Sequence, residues 1–269
     1  MEYAIRPPLH LTNILRRRIP SLTPVQLERL TFDLSGLYWG MRKGTLIDCM
    51  LMSEEQARQL GVALAEAMPT SWHEHLKSPP LFVVYDPTTG QTLAVHRYLT
   101  AFRDTGITYC VEVGGSTPVV LEQLPPASTR ILKSIACYKG DAPFLRLPPV
   151  ERPHDLVAAV GHLIDYPVPY CISNDDGSNC LGGQELVVME AYLVGREHRQ
   201  KLNSFSYPAM FDGELFDDGK KPLRARSIAS MLESHFIGTC ARATEKFPKL
   251  LSCGIKVEWH KVALEQVAL

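Results

Sequence analysis

The chain has 269 residues, of which 45% are hydrophobic and 21% are charged, a composition that excludes a disordered or fibrous protein. Its 28 basic and 29 acidic residues leave a formal net charge of -1, so no excess positive field exists to hold nucleic acid or an anionic lipid surface. We therefore expect a soluble globular protein with no nucleic-acid partner.

Nothing in the sequence is typical of a membrane or secreted protein. The apolar runs, such as residues 81–85, have the length of a strand and fall short of the roughly 20 residues that cross a bilayer. The 7 cysteines include no Cys-x-x-Cys pair, which predicts free thiols and no disulfides. His73 and His75 form a His-x-His pair, but the prolines on either side favour a surface loop over a metal site. We expect a cytoplasmic or nuclear protein without membrane association, metal or cofactor.

Apolar spacing predicts alternating helices and strands in the first half of the chain. A helix over residues 24–42 begins at Thr23, and a second, over residues 54–68, begins at a Ser53–Gln56 capping box. Their stripes comprise Leu27, Leu30, Leu34, Leu37 and Met41 in the first helix, and Ala57, Leu60, Leu64 and Met68 in the second.

Buried strands are predicted over residues 45–51, 81–85 and 107–113, with a helix over residues 91–105. Strands joined by helical crossovers run parallel, so this half predicts a βαβ layer. A further helix over residues 127–137 and an extended segment over residues 142–147 lead to a proline-rich seam at 145–153.

The second half predicts antiparallel strands and one long helix. A helix over residues 154–163 precedes three β-rich runs, at 168–173, 186–194 and 202–207, with a turn at 174–179 between the first two. A helix over residues 222–247 carries a stripe of Ile228, Leu232, Phe236, Thr239 and Ala243 before a last strand at 254–264. The fold class is therefore α/β, with α+β character in the second half. We expect one domain over 1–269, in which a βαβ part (1–147) and an antiparallel part (154–269) pack as one body.

Acidic side chains stand at the ends of three predicted strands, and they are Asp48, Asp86 and Glu112. The carboxyl ends of parallel strands share one edge, so these acids are candidate catalytic residues that would bind a cation or transfer protons. Gly114, Gly115 and Ser116 would hold a phosphate through their backbone amides. The alternative is structural, because acids commonly cap turns and glycines commonly form them.

One cysteine is a candidate ligand-binding thiol. Cys180 lies near turn glycines, with His162 or His198 as a possible base. Small core filling is the competing interpretation, because a free cysteine packs like a small apolar residue.

Several short motifs resemble an uncharacterised animal family, typified by the protein of human chromosome 1 open reading frame 74. They are Gly44-Thr45-Leu46-Ile47-Asp48, Tyr166-Pro167-Val168-Pro169-Tyr170, Asn179-Cys180-Leu181, Ser204-Phe205-Ser206-Tyr207-Pro208 and Val267-Ala268-Leu269. The resemblance implies a shared fold and an intracellular setting, and it brings no catalytic residues. Tyr166 and Tyr170 are interpreted as packing residues, with a ligand groove as the alternative.

Two functional hypotheses follow. The first is a protein that acts through protein–protein contacts without a cofactor, which an exposed aromatic patch on the antiparallel half would support. The second is a hydrolase or transferase acting on a phosphorylated or nucleotide-like small ligand at the strand ends. The sequence leaves open whether the protein is an enzyme.

Overall fold

The computed structural model describes residues 8–68, 79–101, 109–174, 177–195, 199–213, 223–246, 253–265 and 267. The chain divides into two units, called here the N-terminal unit (residues 5–103 and 130–153) and the C-terminal unit (residues 104–129 and 154–269). The expectation of one domain with a seam at 145–153 stays a prediction.

The described residues contain seven α-helices and ten strands. The helices are α1 (Leu9–Arg18), α2 (Pro24–Tyr38), α3 (Glu54–Ala67), α4 (Arg97–Ala101), α5 (Pro126–Ala136), α6 (Asp155–Leu163) and α7 (Ala225–Lys246). The strands are β1 (Gly44–Leu46), β2 (Leu81–Tyr85), β3 (Thr92–His96), β4 (Cys110–Glu112), β5 (Val119–Leu121), β6 (Phe144–Arg146), β7 (Tyr170–Cys171), β8 (Glu185–Val194), β9 (Arg199–Pro208) and β10 (Gly254–Ala263).

Helices α2 and α3 begin where local hydrogen bonding predicts. Thr23 and Ser53 each accept a bond from a backbone N–H three residues on, and the side chains of Gln26 and Gln56 bond back to the cap N–H groups. Every residue of the two predicted stripes is buried. Both helices are therefore confirmed, and their apolar faces supply much of the core of the N-terminal unit.

The sheet of the N-terminal unit has the order β1-β3-β2-β6. Strand β3 pairs antiparallel with both β1 and β2, while β6 pairs parallel with β2. The predicted helix over residues 91–105 is wrong within its described part, which forms β3 and the short helix α4. A tight turn after β2, with Gly90 at φ 72°, returns the chain as a hairpin. Strand β3 therefore lies between β1 and β2.

The C-terminal unit contains two sheets, β5-β4-β7 and β10-β8-β9. Strand β7 was predicted to pair with β8, but it pairs parallel with β4, since the N–H groups of Val111 and Val113 donate to the carbonyls of Pro169 and Cys171. Strands β8 and β9 pair antiparallel as predicted, β10 joins them by pairing with β8, and α7 packs on β10 and β8. The whole stripe predicted for α7 is buried.

These observations confirm the fold class, since helices combine with mixed and antiparallel sheets and parallel pairs occur in two of the sheets. The parallel pairs do not join successive strands, so the predicted parallel pairing of successive strands in the first layer is wrong. Hairpins intervene at β2–β3 and β4–β5.

Candidate functional site

The structure separates the three predicted acids. Asp48 and Asp86 follow β1 and β2, which run in the same direction because both pair antiparallel with β3. These two residues therefore lie at the same edge of one sheet, as expected for a strand-end site. Glu112 ends β4, which belongs to another sheet in the C-terminal unit.

Asp86 organises the turn between β2 and β3. It is completely buried, and its carboxylate accepts bonds from the backbone N–H groups of Thr88 (3.2 Å) and Thr89 (2.8 Å) and from the Thr89 hydroxyl (2.6 Å). Both carboxylate oxygens thus have donors within the same turn. This arrangement supports the structural interpretation of Asp86.

Asp48 lies at an exposed position beside a second acid that the sequence analysis missed. The Arg29 guanidinium donates to Asp48 Oδ1 over 2.9 Å. Burial, and secondly the charge of Asp48, raise the pKa of Asp33 from 3.8 to about 6, although Arg42 and Arg29 act in the opposite direction. Burial and the charges of both acids also raise the pKa of the Cys49 thiol. Asp33 lies in the middle of α2 and is half-buried. The signal in the sequence was an acid directly beside Leu34, which belongs to the predicted apolar stripe.

The raised pKa of Asp33 makes the stability of the protein depend on pH. The folded state binds this proton more tightly than the unfolded state, so the stabilisation is complete below about pH 4 and is lost as the pH rises through about 6. The difference between a pKa of 3.8 and one of about 6 corresponds to roughly 3 kcal/mol. Between pH 4 and pH 7 the wild type is expected to lose stability that Asp33→Asn, which has no carboxyl group at this position, keeps. The free energy of unfolding of the variant, measured by urea denaturation, is therefore expected to rise relative to that of the wild type over this range. Equal pH profiles for the two proteins would contradict this prediction.

Glu112 joins the ends of the parallel strands β4 and β7. Its Oε1 accepts bonds from the backbone N–H groups of Gly114 (2.7 Å) and Ser173 (2.9 Å), and the Cys171 thiol donates to its Oε2 over 3.4 Å. The contacts to Ser173 and Cys171 cross about sixty residues of sequence, since the separations are 61 and 59. Glu112 therefore joins the ends of two strands. It does so through its carboxylate oxygens, the same atoms that a ligand would need to contact.

The first glycine after β4 is held by the same contacts. A Cβ atom on Gly114 would lie 2.8 Å from Glu112 Oε1 and 3.0 Å from the backbone nitrogen of Ser173, so no side chain fits there. The Gly114 amide donates to Glu112 and is already used. Gly115 and Ser116 are exposed beyond it.

Cys180 lies near Glu112, and Tyr170 lies near Cys180. The Cys180 N–H donates to the Val113 carbonyl over 2.9 Å, and burial, with a smaller contribution from the charge of Glu112, raises the pKa of its thiol. Tyr170 is buried, its hydroxyl lies 3.2 Å from the Ser206 hydroxyl, and burial raises its pKa. Four predicted site residues, Glu112, Gly114, Cys180 and Tyr170, thus lie in one region. Because the pKa values of the Cys180 thiol and the Tyr170 hydroxyl are raised, both groups lose their protons less readily than usual.

The tyrosines are packing residues in this unit. The Tyr166 ring lies 5.6 Å from the ring of Phe205, and Phe205 and Tyr207 are buried together with Tyr170. These are contacts that packing side chains make, and the ligand groove stays a prediction. The pairing of Cys180 with His198 lies outside the described residues, as do His73 and His75.

The apolar surface that the sequence analysis missed is β10. None of its ten residues is buried, although Ile255, Val257, Trp259 and Val262 are apolar, and the Trp259 side chain is 45% exposed. In the described part of the chain β10 pairs with β8 along one edge. Alternation in the sequence from 254 to 263 predicted a strand, but its position at the edge of the sheet depends on distant partners.

All seven cysteines are free thiols. Within the described ranges, no group of three or more His, Cys, Asp and Glu side chains is arranged to hold a metal ion, and no helix is long and apolar enough to cross a membrane. Comparison of the chain with family models, curated proteins and solved structures finds no match.

Proposed function

We propose that the protein acts through protein–protein contacts made by strand β10. The observation that carries this proposal is that none of the ten residues of the strand is buried and that six of them, including Trp259, are exposed, while β8 beside it alternates between buried and half-buried residues along most of its length. An edge strand offers a row of backbone donors and acceptors with which another chain can pair. The membership of the family resembled by the short motifs stays a prediction.

Three of the apolar side chains of β10 share one face. Ile255, Val257 and Trp259 stand opposite Leu193, Ala191 and Met189 of β8, which are all buried. A partner strand would continue this apolar row outward, and exposed tryptophans of this kind carry a large share of binding energy in protein interfaces. The aromatic surface on the antiparallel half is thus Trp259, in place of the tyrosines, which are buried or packed.

Charges along β10 are compensated within the sheet. The Lys256 ammonium lies 2.7 Å from Glu258, and the Lys261 ammonium lies 3.2 Å from Glu185. Arg199 reaches from β9 across the Tyr192 ring, 3.3 Å from its centroid, to form an ion pair with Glu258. Lysines on edge strands commonly oppose strand addition through their free charge, and here each has an acidic partner.

Site-specific photo-crosslinking tests this proposal. A benzophenone amino acid at position 259 is expected to capture a polypeptide that the same group at Met210, which is 57% exposed in the same unit, does not capture. The crosslinked species is identified by mass spectrometry in extract and in purified protein. Absence of capture at 259, or equal capture at both positions, would contradict the proposal.

A second candidate function is a hydrolase or transferase for a phosphorylated or nucleotide-like ligand at the edge that carries Asp48. The observation that favours it is the interaction of Asp48 with Asp33, whose pKa of about 6 suits proton transfer near neutral pH. Nucleotides with divalent cations are then expected to raise the melting temperature of the wild type and not of Asp48→Asn. A flat response in both proteins would contradict this candidate.

A further inference from the structure

We propose that Ser21 is a phosphorylation site for a protein kinase that selects arginine at the third and fifth positions before the modified serine. The site belongs to the N-terminal unit and is independent of the contacts proposed for β10. Ser21 is preceded by Ile19 and Pro20 and by the run Arg16-Arg17-Arg18, so arginines stand at both of those positions. Guanidinium groups bind carboxylates through paired hydrogen bonds, which is how an acidic kinase cleft would recognise this segment.

The spacing of the arginines singles out Ser21 in the sequence. Arginine also stands three positions before Thr45, Thr100 and Ser227, but the residues five positions before these are glycine, valine and proline. Thr45 is buried, and the Thr100 hydroxyl donates to the Arg97 carbonyl over 2.9 Å. Ser227 is exposed in the first turn of α7 and lacks only the second arginine. It is therefore the comparison site within the same chain.

The structure presents both the serine and the arginines at the surface. Ser21 is exposed in the turn between α1 and α2, and the three arginines form the last turn of α1. Arg17 and Arg18 both form ion pairs with Glu66 of α3, and their side chains are 63% and 39% exposed. Ion pairs at such exposure contribute little stability, so the carboxylates of a kinase can replace Glu66.

Recognition requires a local opening of the chain. Arg16, Arg18 and Ser21 have to enter one cleft as an extended segment, so the last turn of α1 must unwind. Helix ends open at low free energy, but Ile19 is 1% exposed and has to leave the core in the same step. The extended segment is therefore a minor state, and its population limits the rate of phosphorylation.

The phosphoryl transfer leaves the neighbouring helix cap intact. The Ser21 Oγ forms a bond to the γ-phosphorus of ATP as the bond to the β–γ bridging oxygen breaks, ADP leaves, and the hydroxyl proton passes to an aspartate of the kinase. In the unmodified protein the Gln56 Nε2 donates to the Ser21 Oγ over 3.0 Å. This amide can donate to a phosphate oxygen instead, while the Gln56 Oε1 keeps its bond from the Ser53 N–H of the capping box.

Phosphorylation of the purified full-length chain tests the site. The probe is a purified kinase that requires arginine at the third and fifth positions, with ATP, and the modified residue is located by peptide mass spectrometry. We expect phosphate at Ser21 and none at Ser227, and we expect Ser21→Ala to abolish incorporation. No incorporation into the wild type, or equal incorporation into Ser21→Ala, would overturn the proposal.

Substitution of single arginines tests the recognition. Arg16→Ala and Arg18→Ala are each expected to lower kcat/KM by about tenfold, the scale of one lost hydrogen bond between charged groups. Arg17→Ala is the matched control, because it also removes an ion pair to Glu66 but lies at a position that the kinase does not select. Loss of that ion pair eases the opening of α1, so Arg17→Ala is expected not to lower kcat/KM. An equal decrease for Arg17→Ala and Arg18→Ala would overturn the proposal.

Discussion

Gly61→Ala is expected to destabilise the N-terminal unit by about 3 kcal/mol, as an overpacked core contact does. Gly61 lies in α3 against the segment before β6, where a Cβ atom would press into the Pro143 carbonyl oxygen and lie 3.0 Å from the carbonyl carbon. The obstacle is backbone and cannot rotate away. The same carbonyl accepts the Val83 N–H of β2 over 2.9 Å, so moving it would also loosen the β2–β6 pairing.

A helical glycine elsewhere is the control for this substitution. Gly238 lies in α7, and a Cβ atom there would meet only the Arg242 side chain at 3.8 Å, an ordinary contact. Gly238→Ala is expected to gain up to about 1 kcal/mol, because alanine favours the helix. Urea denaturation of both variants checks the prediction. Equal shifts in midpoint would show that the Pro143 carbonyl yields easily and would refute the steric argument.

Glu112→Ala is expected to lower the free energy of unfolding by about 2–3 kcal/mol, the usual scale for hydrogen bonds to a charged group. The substitution removes the acceptor shared by the Gly114 and Ser173 N–H groups and frees the ends of β4 and β7. Glu112→Gln keeps one oxygen that can accept both bonds, so a loss of about 1 kcal/mol is expected.

Glu122, an exposed acid ten residues away, is the control, and Glu122→Ala is expected to change stability by less than about 0.5 kcal/mol. Thermal and urea unfolding provide the measurement. A fully stable Glu112→Ala protein would reopen the interpretation of Glu112 as a ligand-binding or catalytic acid.

Elements that depend on nearby residues could be predicted from the sequence. The capping boxes at Ser53 and Thr23 act over three residues, and the stripes of α2, α3 and α7 lie within single helices. Strand β3 was missed because its pairing depends on β1 and β2, and because Leu99 and Phe102, three residues apart, have a spacing that suits a helix.

The candidate sites were predicted less completely for the same reason. Asp48 and Asp86 do share a sheet edge, but the contact of Asp33 with Asp48 requires α2 to pack beside β1. Glu112 reads as an isolated strand-end acid until Ser173 is brought beside it by the parallel pairing of β4 and β7. Whether the predicted site residues act in chemistry stays a prediction.

The uneven accessibility of the thiols has a practical consequence for spectroscopy. Burial raises the pKa of Cys49, Cys180 and Cys240, so little thiolate is present at neutral pH to react with a maleimide dye. Cys137, just after α5, is the exposed cysteine among the seven. Short labelling of the natural sequence is therefore expected to favour Cys137, with the half-buried Cys253 as the competing site to check by peptide mapping.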